Sequence, residues 1–537
     1  MHHHSHTDDH YDIIVIGSGM GGLSAASLLA QLAGKRVLVL ERHFKLGGFT
    51  HTFTRQGYSW DVGLHYVGQM AEGAQPRRIF DLVTGGAVSW HRMPHLFERF
   101  CYPSIQFAVP ADPAAYQAAL CARYPTQATA IARYFSDVER AARWIARHSA
   151  GKLMPRPARA ALEAVGKGLA LQTTQTYLDR NFSDPQLKSL LVSQWGDYGV
   201  PPAYSAFGIH ALIVAHYLDG AYYPVGGAAT IAQAIEPIIA AAGGACLVNC
   251  EVAEILVDAA GKATGVRVAA RNREPERRYH APVIISNAGA YITYGRLLPP
   301  TLNLPQQREL AALPEPLGSV SVYLGLHTSP TTVGLTGENL WCYAQEDHAA
   351  GVAVRNRLLE GKAAFTFASF SSLHDATAGK NSAQLISWAD YAAFRQWREQ
   401  NWRRRDEKYD ALKTHIATSM LDLVERYVPG FGALIDYVEV STPLTVEHFT
   451  GHHHGAIYGV PAVPQRFRGS LGAIKTPVPG LYITGADVVS PGIVGAMMGG
   501  VFTTAAVLGL RTLPKILSTL GALPSVQGNS PVRRSVA

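Results

Sequence analysis

The glycines in Gly17-Ser18-Gly19-Met20-Gly21-Gly22 have GxGxxG spacing, which lets a backbone come close to a pyrophosphate. Gly17 makes the tight turn, Gly19 admits the phosphates, and Gly22 lets the next helix pack on a sheet. Glu41 stands 22 residues after Gly19. A carboxylate there accepts hydrogen bonds from a ribose 2′-hydroxyl and repels a 2′-phosphate. A second group is imidazole: His452, His453 and His454 are consecutive. On an extended segment His452 and His454 share a face, with Glu447 or His448 nearby, as two metal ligands would. A solvated polar loop explains the same residues, and no metal is assigned.

These groups need elements to hold them. Residues 13–16 (IIVI) read as a strand buried on both faces, 23–33 as a helix of small residues, and 35–40 as a second buried strand ending at Glu41. The helix N-terminus would aim free N–H groups at the phosphates. Near the other end, 480–487 (GLYITGAD) reads as a short strand, followed by an apolar helix opened by 490–500. Between them we expect strands over 96–109 and 320–327 and helices over 116–148. A helix over 181–197 is capped by Ser183-Asp184-Pro185, and another follows over 228–242. Residues 245–257 and 263–270 read as a strand pair around Gly261-Lys262, and 282–289 as a strand returning to the nucleotide sheet. The uncharged stretches 13–34 and 488–510 are long enough to span a bilayer, but their glycines and Pro491 make each a strand or turn, a loop and a buried helix.

The 537 residues are 47% hydrophobic and 16% charged, which excludes general disorder and provides for several domains. A net charge of +7, scattered along the chain, excludes nucleic acid as the expected partner. Cysteines 101, 121, 246, 250 and 342 form no CxxC and fit reduced thiols in a cytoplasmic setting. Residues 1–10 read as a tag or polar leader and 516–537 as a tail. Lys152, Arg156, Arg159 and Lys167, set among Leu153, Met154, Leu162, Val165 and Leu169, could rest on an anionic membrane.

Glu41-Arg42 followed by Gly47-Gly48-Phe49-Thr50 resembles the extension of flavoproteins that bind FAD. The 485–500 segment is similar to their C-terminal FAD motif. With Trp60-Asp-Val-Gly-Leu-His-Tyr-Val-Gly68 and the segment 441–459, the chain resembles the FAD-dependent carotenoid desaturase and isomerase family, in its retinol saturase-like branch. The resemblance implies an α/β fold with a Rossmann-like FAD-binding domain made from 11–85, 225–295 and 470–515. An α+β substrate domain, 86–224 and 296–469, is inserted. It also implies a hydrophobic tunnel for a polyene or lipid. Gly485 and Asp487 would serve FAD on its ribitol or pyrophosphate side, and Ile493 and Val494 the flavin pyrimidine; Val252 joins this set. His65 and Tyr66 become candidates for acid–base work or polar positioning beside the flavin, with Tyr458 next. The aromatic segment 195–202, with Phe207, Tyr217, Tyr222 and Tyr223, could line the tunnel. Saturation is the preferred chemistry. Desaturation, cis–trans isomerisation, an amine oxidase-like reaction and a non-catalytic lipid carrier are the alternatives.

Overall fold

A computed structural model describes residues 9–270, 275–375 and 377–509, together with 512 and 516, the Arg156 side chain excepted. Most of the leader and nearly all of the tail therefore lie outside the described residues.

Five short parallel strands form the nucleotide sheet, in the order Ala245–Leu247, Val37–Leu40, Ile13–Ile16, Val283–Ser286 and Leu481–Ile483. Ile13–Ile16 is apolar throughout because helices cover both faces. Helix Met20–Ala33 lies against helix Ile493–Leu508, and glycines set the separation. A Cβ on Gly21 would come within 2.3 Å of Gly485 Cα, and one on Gly500 within 2.6 Å of the Gly21 carbonyl oxygen. The two uncharged stretches thus end in buried helices of this core. Among the described residues no helix is long and apolar enough to cross a membrane.

A seven-stranded sheet carries the second half of the molecule. Its order is Ile435–Ser441, Gly318–Leu326, Asn381–Ala389, Phe365–Ser369, Asn339–Tyr343, Leu96–Tyr102 and Ile105–Pro110. Strand alternation sorts its residues. Trp341 and Tyr343 join Phe365, Phe367 and Trp388 on one face, packed with helices Ala128–Gly151 and Phe207–Tyr217. Leu340 and Cys342 face the other way, toward helix Glu407–Glu425. All five cysteines are free.

Three expectations change. Residues 96–109 are not one strand but a hairpin, Leu96–Tyr102 and Ile105–Pro110, turning at Pro103-Ser104, where proline offers no ladder N–H. Residues 245–257 split between two sheets: Ala245–Leu247 joins the parallel sheet, and Val252–Val257 pairs antiparallel with Ala263–Val268. The break falls at Asn249, whose φ of 57° is left-handed, and there the Cys250 N–H donates to the Glu41 carbonyl. The helix expected over 181–197 starts only at Pro185. Asp184 accepts from the Leu187 N–H at 2.9 Å, and a 3-10 turn over Ser193–Asp197 follows.

The basic stretch also changes. The Lys152 ammonium is buried, donates to the Val488 carbonyl oxygen, and is lowered by burial to about 7. Arg159 pairs with Glu163 at 2.6 Å. These two half-buried side chains are therefore committed to partners within the fold, while Lys167 is exposed.

Candidate functional site

One cavity of about 590 Å³ joins the two halves. At the nucleotide sheet its wall is Gly17, Gly19, Met20, Gly21, Glu41, Arg42 and Val252. Gly48 abuts the glycine loop, where a Cβ would lie 2.9 Å from Gly19 Cα, and Gly47, Gly48, Phe49 and Thr50 continue the wall. Phe49 meets His452 edge to face at 5.2 Å, and beyond them stand Tyr458, Gly459, Asp487 and Ile493. The cavity then opens among Trp341, Phe365, Phe367 and Trp388, with His65 and Asp197 on the same wall. This volume and mostly apolar lining suit an organic ligand with a few fixed polar contacts.

The polar groups of the first part are held by backbone. Glu41 accepts from the Ser18 N–H at 2.8 Å, the Ser18 hydroxyl at 2.7 Å and the His43 N–H at 2.8 Å. A carboxylate has about four lone-pair directions, so one is left. Asp487 accepts from the Ala290 N–H at 2.7 Å and the Val460 N–H at 2.9 Å, fastening three distant segments together. Gly459 is required there, because a Cβ would sit 2.4 Å from an Asp487 oxygen. Helices Met20–Ala33 and Ile493–Leu508 both begin at the cavity, with Gly19 and Gly492 as their N-caps. Two sets of free N–H groups therefore face the space, and the glycine cradle fits a dinucleotide.

Ser18, Gly22, Gly485, Val494 and Tyr66, expected at the site, do not line the cavity; Gly485 is packed behind it, where a Cβ would lie 2.4 Å from Asn287 Oδ1. The Ser18 hydroxyl is taken up by Glu41 and the Gly47 N–H. Gly22 lies beneath the loop, where a Cβ would strike the Gly17 carbonyl oxygen at 2.3 Å. Val494 packs into the core behind the helix start. His65 and Tyr66 diverge at the entry to strand Val67–Gly68. His65 reaches the cavity, whereas Tyr66 turns inward and stacks on Tyr217 at 4.3 Å. The Tyr66 hydroxyl lies 2.5 Å from Glu98 Oε1 and 2.8 Å from Asp197 Oδ2.

Electrostatics follow from burial. Among the described residues His65 Nε2 is buried with no hydrogen-bond partner, and burial lowers the imidazole to about 4, leaving it neutral at pH 7. Burial raises Asp197 to about 7. Burial and then the charge of Asp197 raise Glu98 to about 8. Burial and then Asp197 push the Tyr458 phenol upward. Asp197, Glu98, Trp341, Phe367 and Trp388 were not named as site residues from sequence. The only signal was an acid within the aromatic run Trp195-Gly-Asp-Tyr-Gly.

The histidine run is not extended. His454 has a left-handed φ of 51°. His452 faces the cavity, and its Nδ1 lies 2.9 Å from the Ala456 carbonyl oxygen. His453 and His454 face away toward Glu315, with His454 Nδ1 at 2.6 Å. Ligand atoms of these two and Glu315 lie within 4.8 Å of one another. The shared face expected of His452 and His454 therefore does not form. Of the aromatic segment, Gly196 and Asp197 reach the cavity, while Tyr198, Phe207 and Tyr217 are core.

A parallel dinucleotide-binding sheet opening into an apolar chamber defines a Rossmann-type oxidoreductase. Residues 15–83 match the NAD(P)-binding Rossmann-like domain family. All-trans-retinol 13,14-reductase of Danio rerio is 32% identical over 92% of this chain and 85% of its own length. The chloroplastic prolycopene isomerase of Arabidopsis thaliana is 25% identical over 94% and 84%. Wild-type putrescine oxidase, solved with putrescine, has the same fold, with a TM-score of 0.64 at 16% identity over 93% of this chain and 99% of that one. The chain belongs to the retinol saturase-like branch of the carotenoid desaturase and isomerase family.

Proposed function

We propose that this protein uses FAD to add hydrogen across a carbon–carbon double bond of a long apolar polyene. The carrying observation is the single cavity that runs from a dinucleotide cradle into an aromatic chamber. The relatives support the same reading: the reductase named for retinol is closer, at 32% identity, than the isomerase named for prolycopene, at 25%.

FAD, when bound, supplies the hydride chemistry. Gly17, Gly19 and the start of helix Met20–Ala33 would cradle its pyrophosphate. Glu41 would give its remaining lone pair to a ribose hydroxyl. The Gly492–Ile493 helix start would face the flavin pyrimidine, and Asp487 holds the segments that frame it. Trp341, Phe367 and Trp388 would flank the polyene and exclude water, fixing which bond is presented.

The test is an absorbance assay on flavin-loaded protein, oxidised and separately reduced without oxygen, with a conjugated polyene. Reduced enzyme should shorten the chromophore. A lengthened chromophore would make the enzyme a desaturase, an unchanged length with altered geometry an isomerase, and no change with any polyene would overturn the reading. Replacing Glu41 by Arg should weaken FAD binding about 10- to 100-fold, because hydrogen bonds to a charged group contribute roughly 1.5–3 kcal/mol. Unchanged affinity in a flavin titration removes the ribose assignment.

A further inference from the structure

The saturation reading, on which this inference rests, requires a proton as well as a hydride, and the cavity wall holds several carboxylates. Glu41 and Asp487 are committed to backbone donors. Glu251 pairs with Arg42 and Arg296, Glu439 with Arg55 and Tyr437, and Asp410 lies beside Lys413. Among the described residues, neither Asp197 nor Glu98 has an ion-pair partner, and they share one phenol, that of Tyr66.

Proton counting orders this trio. A phenol has one hydrogen, so it can donate to one carboxyl and must accept from the other. Glu98 also receives N–H donors from Gln194 at 2.6 Å and Trp341 at 2.9 Å, the environment of a carboxylate. Asp197 has no other donor among the described residues. Tyr66 therefore donates to Glu98 and accepts from a protonated Asp197, the member of the pair that faces the cavity. We infer that Asp197 is the acid that protonates the polyene, and that Tyr66 and Glu98 are positioning residues that keep it protonated.

The atoms balance. The Asp197 O–H bond breaks, and a C–H bond forms at one carbon from the electron pair of the double bond. The neighbouring carbon would receive the hydride that reduced flavin, when bound, would supply, so the product would gain two hydrogens and two electrons. Tyr66 then turns its O–H to the new Asp197 carboxylate. Burial raises both carboxyls, so the pair keeps a proton near neutral pH, and the N–H donors on Glu98 place that proton on Asp197. The titratable groups facing Asp197 are Tyr66, Glu98, Tyr198, Tyr217, Tyr343 and Tyr458, none of them a cation.

Asp197→Asn in flavin-loaded protein tests it with two readouts. Infrared difference spectra between mildly acidic and mildly alkaline pH should show the carbonyl stretch of a protonated carboxylic acid in wild type and lose it in D197N. Tyr66→Phe should shift the pH at which that band disappears. In single turnovers, D197N should keep its flavin yet reduce polyene about 10²- to 10⁴-fold more slowly, the usual contribution of a general acid. A band retained in D197N overturns the protonated state. Wild-type rates and pH profile in D197N overturn the donor role alone. A wild-type enzyme that leaves every polyene unchanged overturns the saturation reading and the donor role together, while the infrared arm still decides where the proton sits.

Discussion

Glu98 accepts three hydrogen bonds, from Tyr66, Gln194 and Trp341, while fully buried. Those donors suit a carboxylate, which leaves the proton of the pair on Asp197, whose carboxyl ordinarily ionises near 3.8 and is raised here to about 7. Between those values the native state binds more protons than the unfolded chain. The group's contribution to stability is thus complete below 3.8 and is lost as pH rises through about 7. Asp197→Asn removes this dependence. Melting curves should show the variant gaining on wild type as pH rises from 5 toward 9, and a pH-independent difference would contradict the buried-acid assignment. His65 has the opposite sign. Lowered from 6.5 to about 4, it supports the fold fully above 6.5 and less as pH falls toward 4. The glycine motif was legible in sequence because phosphate approach fixes both residue type and spacing. Asp197 was not, because its state depends on Tyr66 and Glu98, which are far from it in the chain and join it only after folding.

Helices Met20–Ala33 and Ile493–Leu508 meet through glycine rather than through larger apolar side chains. Close approach brings both N-termini to one cavity, so the packing also serves binding. Gly500→Val should place methyl groups against the Gly21 carbonyl and Ser24, where a Cβ alone would already be 2.6–2.7 Å away. Overpacking of this kind costs about 1–3 kcal/mol, and flavin retention should fall with it. A variant that melts and binds flavin like wild type would show that the crossing tolerates separation. Both helices could be located from sequence, since uniformly apolar runs rich in small residues suit close packing. The split after Leu247 could not be. Asn249 adopts a left-handed turn because the Cys250 N–H and Glu41 carbonyl meet there, a pairing between distant residues.

The nucleotide sheet draws strands from residues 13–40, 245–286 and 481–483. The seven-stranded sheet and its helices fill the intervals, and the cavity lies where the two halves join. The alternation of elements was readable in sequence, whereas the antiparallel order of the large sheet was not, because neighbouring strands such as Gly318–Leu326 and Ile435–Ser441 lie far apart in sequence. A chain ending at residue 480 would lack the last strand of the sheet and the helix beside Met20–Ala33. Such a fragment should retain no flavin and elute as an aggregate on size exclusion, and a monodisperse, flavin-binding fragment would contradict this architecture.

The same arrangement has a consequence for biosynthesis. Helix Met20–Ala33 is apolar on nearly every side and leaves the ribosome long before its partner, Ile493–Leu508. In the interval the nascent chain carries a cofactor loop with half its walls missing and a greasy helix without a mate, the situation in which chaperones are most needed. Flavin capture is then a late event, and flavin supply at that moment would govern the yield of active protein.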